Sequence, residues 1–570
     1  MAMSTKASFL LLLLLLLAAA WGADARAEPR TVCTITVNSA DEKEAFRRYL
    51  PDENYRFVEL VERGRPDWLA SACRQDIRCD LLVISGHFDG STVFYSDQLD
   101  VSEYLPVEEM ERVACSDSCP GLFAPLKEVY LFGCNTLNAE AVRFPSPEVA
   151  RSLVRAGYSP ADAERRARIL DQRHGESSRD RMRRIFRNVP VIYGFSSTAP
   201  LGPTAASRLA RYFQSAPATE LGSGRVSSRL LGQFAAESMI AVSGIGDSDP
   251  HAVYRREVCQ FLDDRRSPAE KLRFVHEILG REMAEVRLYF ERIEKLFASF
   301  SESERRAPAF VEALGEITRD DVARERYLRF AADADHAVIR ARMIRLAGTL
   351  GWLSPTGQRT ELARMIGDLL ARKSMNAADI SLVCTLNKDR ELEQERNRLP
   401  PPGEAGNVSH AAVLACLGSA DGRARMLSAL TSDDGDDVEI ARVYLAHQPI
   451  TDVDELRTVV RAITRMTRAG TQAQALEALA RQRLTDRESL DELAGLFATT
   501  QSVEVQRAIA AVFIRADVQL LARPEVVRAL NRHRLKSSGG DDIIDVLIRR
   551  LQVSAAPSPS GGIMAVPERL

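Results

Sequence analysis

Six short apolar runs, separated by helical stretches, occupy residues 31–247, and they restrict the fold of this half of the chain more than any other feature. They are TVCTITV (31–37), YRFVELV (55–61), DLLVIS (80–85), VYLF (129–132), VPVIYGF (189–195) and SMIAVSG (238–244). The third is almost wholly apolar, as a strand covered on both faces should be. Ser39 with Glu42 reads as a capping box for a helix to about Tyr49. GRPDWLASACRQDI carries a second helix, and SPEV (146–149) and SPAD (159–162) start others. Strands alternating with helices predict an α/β domain over residues 28–250. Its sheet is six-stranded and mostly parallel, with helices on both faces.

The alternation stops near Ser267. Ser267-Pro268-Ala269-Glu270 combines an N-cap, a proline at the first helical position and a capping glutamate. A long amphipathic helix to about Phe300 is expected to follow. Residues 265–400 read as helical, and residues 401–552 as helical repeats. TDVDELRTVV (451–460) and TDRESLDELA (485–494) are threonine-capped helix starts 34 residues apart. Their partner helices DVEIARVYLA (437–446), TQAQALEALA (471–480) and SVEVQRAIAA (502–511) are spaced by 34 and 31 residues. Paired helices at such a period point to an α-solenoid, and the pattern resembles HEAT-like repeats. An irregular helical bundle is the alternative. VSAAPSPSGGIMAVPERL (553–570) has the composition of a flexible tail.

At 570 residues the chain is too long for one core. An apolar content of 45% excludes wholesale disorder. The net charge of −3 offers no basic excess for nucleic acid. At the N-terminus, Lys6 precedes the apolar stretch FLLLLLLLLAAA (9–20), and Ala25-Arg26-Ala27 is a small-x-small cleavage site. This reads as a secretory signal removed after Ala27, with an uncleaved anchor as the alternative. A periplasmic or secreted bacterial protein, with no stable membrane insertion after cleavage, is the expectation.

Export makes the nine cysteines candidates for disulfides. Cys73 with Cys79, and Cys115 with Cys119, are close enough in sequence to form local pairs. Zinc is the rival for these four, but neither CRQDIRC nor CSDSC has the usual knuckle spacing. Cys33, Cys259, Cys384 and Cys416 read as inert core thiols. The odd count leaves at least one thiol free, and Cys134 is the candidate.

Cys134 has a partner in the pattern. The third apolar run ends in Gly86-His87 and the fourth in Gly133-Cys134. In an open parallel sheet, reacting groups gather beyond the carboxyl ends of the strands. If these strands are neighbours, His87 and Cys134 emerge together. A thiol is a nucleophile once a base takes its proton, and the same imidazole can protonate a leaving amine. The N–H groups of Phe88 and Cys134 are candidates for an oxyanion hole. No G-x-G-x-x-G follows the first strand and no P-loop occurs, which weighs against a nucleotide-binding fold.

LLVISGH and EVYLFGCNT resemble the caspase-like cysteine peptidases, a superfamily that includes caspases, gingipains, separases and CHAT domains. Cys134 lies 47 positions after His87, similar to the family interval of about 50. VPVIYGFSSTAPLGPTAASRLARYF (189–213) is similar to the family's next strand, pocket-lining turn and Ala-rich helix. The resemblance implies His87 as base and acid, Cys134 as nucleophile, and Tyr193, Gly194, Phe195, Ser196, Ser197 and Thr198 as pocket-lining residues. It also puts the Arg-rich stretch 171–188 where caspases carry a cleavable linker. It implies no metal or organic cofactor, although some relatives use calcium. In the family a glycine follows the histidine; here Phe88 does, which places a ring near the cleft. Acidic residues near that pocket would favour a basic substrate side chain; Asp89 and Glu140 are the candidates, with a solvated surface role as the alternative. Two functions follow. One is an exported endopeptidase acting on a protein or peptide substrate recruited by the helical repeats. The other is a catalytically degenerate domain attached to a protein-binding solenoid.

Overall fold

The structure is a computed structural model. It describes residues 28–60, 69–96, 103–116, 119, 121–140, 147–174, 177–216, 220–334, 336–399, 407–535 and 542–555. The proposed leader and most of the proposed tail lie outside these residues. The helix Ile543–Ala555 runs past the predicted start of the tail at 553. No described helix is long and apolar enough to cross a membrane. Two compact units divide the chain between Arg319 and Asp320.

The first unit is built on the six predicted runs. They form β1 (Arg30–Thr36), β2 (Tyr55–Glu59) and β3 (Leu81–Ser85), then β7 (Glu128–Phe132), β8 (Val191–Phe195) and β9 (Met239–Val242). The order across the sheet is β2-β1-β3-β7-β8-β9. Every pairing is parallel except β8 with β9. Three short strands outside the six apolar runs form a separate antiparallel sheet: β4 (His87–Phe88), β5 (Val93–Tyr95) and β6 (Tyr104–Pro106).

Side-chain alternation gives the large sheet two buried faces. Leu82, Ile84, Val129 and Leu131 enter one core with Met110 and Ile185. Leu81, Val83, Tyr130 and Phe132 enter the other with Phe46 and Leu209. Helices Val107–Cys115 and Ser178–Ile185 supply the first face; Asp41–Tyr49 and Gly202–Ser215 supply the second.

Two helix expectations change. Ser39 and Glu42 form no capping box: the N-cap is Ala40, Ser39 bonds Asp41, and Glu42 turns inward at 3% exposure. Ser267 does form its capping box with Glu270, but the long helix is two, Pro268–Leu279 and Met283–Ser299, broken around Gly280.

The helices of residues 251–318 belong with the α/β core rather than with the repeats. Arg292 bonds the buried Glu111 through its two terminal guanidinium nitrogens, at 3.2 and 3.3 Å. Tyr158 donates to Glu282 at 2.7 Å.

The cysteine pairing also differs from the local one. The bonds are Cys33–Cys79, Cys73–Cys119, Cys115–Cys259 and Cys384–Cys416. Cys73, Cys79, Cys115 and Cys119 are all oxidised, but each joins a distant element. The four cysteines expected to be inert thiols are their partners or each other's. Disulfide sulfurs are not thiolate ligands, so the zinc alternative falls as well.

In the second unit the 34-residue period is visible in side-chain detail. Helices Val453–Thr464 and Arg487–Thr499 start at Asp452 and Asp486, whose carboxylates accept from the N–H of Glu455 and Ser489. The caps are therefore the aspartates, one residue after the expected threonines. Gln472 Nε2 donates to Ile463 O at 2.8 Å, and Gln506 Nε2 to Phe497 O at 2.9 Å. Each amide ties the end of one helix to the start of the next. Helices Gly435–His447, Ala469–Leu479 and Val503–Arg515 pack in succession, as do Val453–Thr464, Arg487–Thr499 and Pro524–His533.

Candidate active site

The strands that end in His87 and Cys134 are neighbours. β3 and β7 are parallel, with Ser85 opposite Phe132. The Gly86 N–H then donates to Phe132 O at 3.1 Å. One step further on, His87 and Cys134 leave the same edge of the sheet. The two glycines have a packing role that the sequence does not reveal. A Cβ on Gly133 would lie 2.9 Å from Gly86 O and 3.0 Å from Phe88 Cβ. Glycine lets the two strand ends close on one another.

Beyond Gly133 the chain turns through Asn135, which adopts the left-handed conformation at φ 58°. Asparagine tolerates that region better than most residues. The turn is fastened to the continuation of β8. Asn135 N–H donates to Ser197 O at 2.6 Å and Leu137 N–H to Phe195 O at 2.9 Å. The buried Thr136 hydroxyl donates to Gly133 O and accepts from Phe195 N–H, both at 3.1 Å. A Cβ on Gly194 would meet that hydroxyl at 2.7 Å. On the far side, Ser178 Oγ donates to Gly90 O, and Arg181 reaches Ser91 O at 2.7 Å. Helix Ser178–Ile185, drawn from the Arg-rich stretch, thus braces the loop after His87.

Cys134 is partly exposed and is the free cysteine of the nine. Its sulfur accepts from the Ala199 N–H at 3.3 Å, so the thiol proton points elsewhere. Among the described residues nothing accepts from the Cys134 N–H. His87 stands in β4 against Tyr95, with ring centroids 5.4 Å apart.

Phe88 does not put its ring in the cleft. The ring is 4% exposed and packs on Phe94 with centroids 4.7 Å apart. The Asp89 N–H donates to Val93 O, and hydrogen bonding alternates along an antiparallel pair. The Phe88 N–H is therefore directed away from β5.

Of the six residues expected to line a pocket, Tyr193 and Phe195 are core residues at 1% and 0% exposure. Tyr193 stacks on Tyr130, and its hydroxyl accepts from Ser227 N–H at 2.8 Å. Gly194 is covered by Thr136 and Leu137. Strand alternation cannot bring these three out. Ser197 and Thr198 are exposed and Ser196 is half-buried, its hydroxyl donating to Ser238 O at 3.2 Å.

Both acidic candidates are exposed. Asp89 closes its own turn, accepting from the N–H groups of Ser91, Thr92 and Val93 and from the Thr92 hydroxyl. Partial burial would raise its pKa, but the Thr92 hydroxyl and these N–H groups hold it below the ordinary carboxylate value. Glu140 is exposed.

Thr136, Ala199 and Tyr95 were not visible as site residues in the sequence. The alternation Val93-Phe94-Tyr95 was the available signal for the last, but three residues are too few to establish a strand period. Neither protein-family models nor curated proteins match this chain.

Proposed function

We propose that the chain is an exported caspase-like cysteine endopeptidase. His87 removes the Cys134 thiol proton, the sulfur attacks a peptide carbonyl, and His87 returns the proton to the leaving amine. Water then hydrolyses the thioester and regenerates the thiol. The N–H groups of Cys134 and Phe88 stabilise the oxyanion. The observation that carries this reading is the position of the free thiol. Eight of nine cysteines are in disulfides, and the ninth stands at the end of the strand beside the one that leads to His87. The disulfides suit an oxidising compartment. The helical unit, read as a HEAT-like solenoid, recruits the protein substrate.

One observation favours the second reading, a degenerate domain serving as a scaffold. Phe88 replaces the glycine of the resembled family, and a side chain narrows the backbone angles open to its N–H. Thiol labelling separates the two. Limiting iodoacetamide at pH 7, followed by mass spectrometry, should modify Cys134 quickly, and His87→Ala should slow this by about ten-fold or more. Labelling that is slow in both proteins overturns the peptidase reading and leaves the scaffold. Fast labelling would be followed by a screen of peptides for cleavage.

A further inference from the structure

The small antiparallel sheet has two faces with opposite character. Phe88, Phe94 and Leu105 are register partners across β4, β5 and β6, and all three are buried in the core. The opposite row is His87, Tyr95 and Tyr104, again direct register partners. Residues directly opposite in antiparallel strands share a face. Here that face is open: Tyr95 is 40% exposed and Tyr104 51%. Among the described residues, no other Phe, Tyr or Trp side chain is exposed to this degree. A molecule that buries its other described rings at least in part leaves two side by side, in the row that starts at His87. Adjacent exposed rings beside a reactive group mark a contact surface rather than chance exposure.

We propose that Tyr95 and Tyr104 form an aromatic ledge that binds an apolar or aromatic side chain of an extended peptide, next to the bond attacked by Cys134. The proposal rests on the peptidase reading of His87 and Cys134. Its occupant follows from position and chemistry. Anything lying along the row also lies beside His87. Tyrosine rings offer flat apolar area at small entropic cost and keep their hydroxyls in water. Asp89, in the loop after β4, is committed to its own turn and is not offered to a cationic side chain.

The test compares alkylating reagents on the disulfide-bonded protein. N-(2-phenylethyl)iodoacetamide is the aromatic probe, and N-(2-hydroxyethyl)iodoacetamide is the polar control. Cys134 labelling is read by mass spectrometry, each rate divided by that of iodoacetamide with the same protein. The aromatic probe should gain about five- to ten-fold over the polar one. Tyr95→Ser/Tyr104→Ser should bring the ratio to about one, while Tyr104→Phe, which keeps the ring, should retain it. A ratio near one in the parent protein overturns the ledge, as does one that survives the double substitution. Either outcome leaves His87-dependent labelling by iodoacetamide untouched, so the ledge can fail without the peptidase reading. Labelling that ignores His87 overturns both.

Discussion

Glu42 shows how a single buried carboxyl leaves a mark on the whole protein. It is 3% exposed in the first turn of its helix, and its Oε2 has no hydrogen-bond partner among the described residues. Burial pushes its pKa from 4.5 to about 7, against the pull of its own backbone N–H and the Ser85 hydroxyl; Asp41 adds to the rise. The folded protein therefore keeps a proton that the unfolded chain releases near pH 4.5. Stability from this group is full below pH 4.5, declines as pH rises to about 7, and is level above. Glu42→Gln keeps the neutral form and should remove that slope. At pH 8 the variant should be more stable than the parent by roughly 1–3 kcal/mol, measured by urea denaturation across pH. The parent should match the variant more closely at pH 4.5. Identical profiles for the two proteins would mean that Glu42 is ionised without penalty.

Glu111 ties three helices together, and its loss should be felt as a loss of helix packing. It sits in Val107–Cys115, fully buried, facing Arg292 of Met283–Ser299 and Arg181 and Arg184 of Ser178–Ile185. Burial alone would raise its pKa, but Arg292, Arg181 and Arg184 outweigh this and hold it at about 2. The sign is opposite to that of Glu42: stability is present above pH 4.5 and is lost as pH falls toward 2. Glu111→Gln leaves buried guanidinium groups uncompensated and should cost about 3–5 kcal/mol at pH 7. The gap to the parent should narrow below pH 4.5; a gap independent of pH would show that packing, not charge, holds the helices. None of this could be read from the sequence, because helical periodicity marks which face is buried but not against what. The same limit hid the attachment of residues 251–318 to the first unit. The six strands were legible because apolar runs of four to seven residues stand out between helix starts. β4, β5 and β6 were not, since two or three residues carry no period. At the site, His87 and Cys134 could be found because glycine and strand end recur at both. Tyr193 and Phe195 misled because a resemblance places a segment, whereas alternation decides which of its side chains face outward.

Disulfide connectivity was equally unreadable, since sulfurs pair by proximity in space, and its arrangement sets what the whole molecule should do on heating. Three bonds lie in the first unit and one, Cys384–Cys416, in the second; none joins the two. Cys115–Cys259 spans 144 residues and fastens helix His251–Leu262 to helix Val107–Cys115. Cys384–Cys416 spans 32 and joins helices Ala377–Leu386 and Val408–Cys416. A crosslink stabilises chiefly by restricting the unfolded chain, with typical values of about 2–4 kcal/mol that grow slowly with loop length. Calorimetry should therefore resolve two transitions, each answering to its own bonds. Replacing Cys115 and Cys259 by Ser should lower one melting temperature and leave the other in place. Replacing Cys384 and Cys416 should do the reverse, and the shift should be smaller because the closed loop is shorter. A single transition that moves as one with either pair would mean that the units unfold cooperatively. A division between Arg319 and Asp320 would then have no thermodynamic counterpart. Two separable transitions would instead let the unit with the free thiol unfold while the helical unit stays folded, each with its own disulfides as its crosslinks.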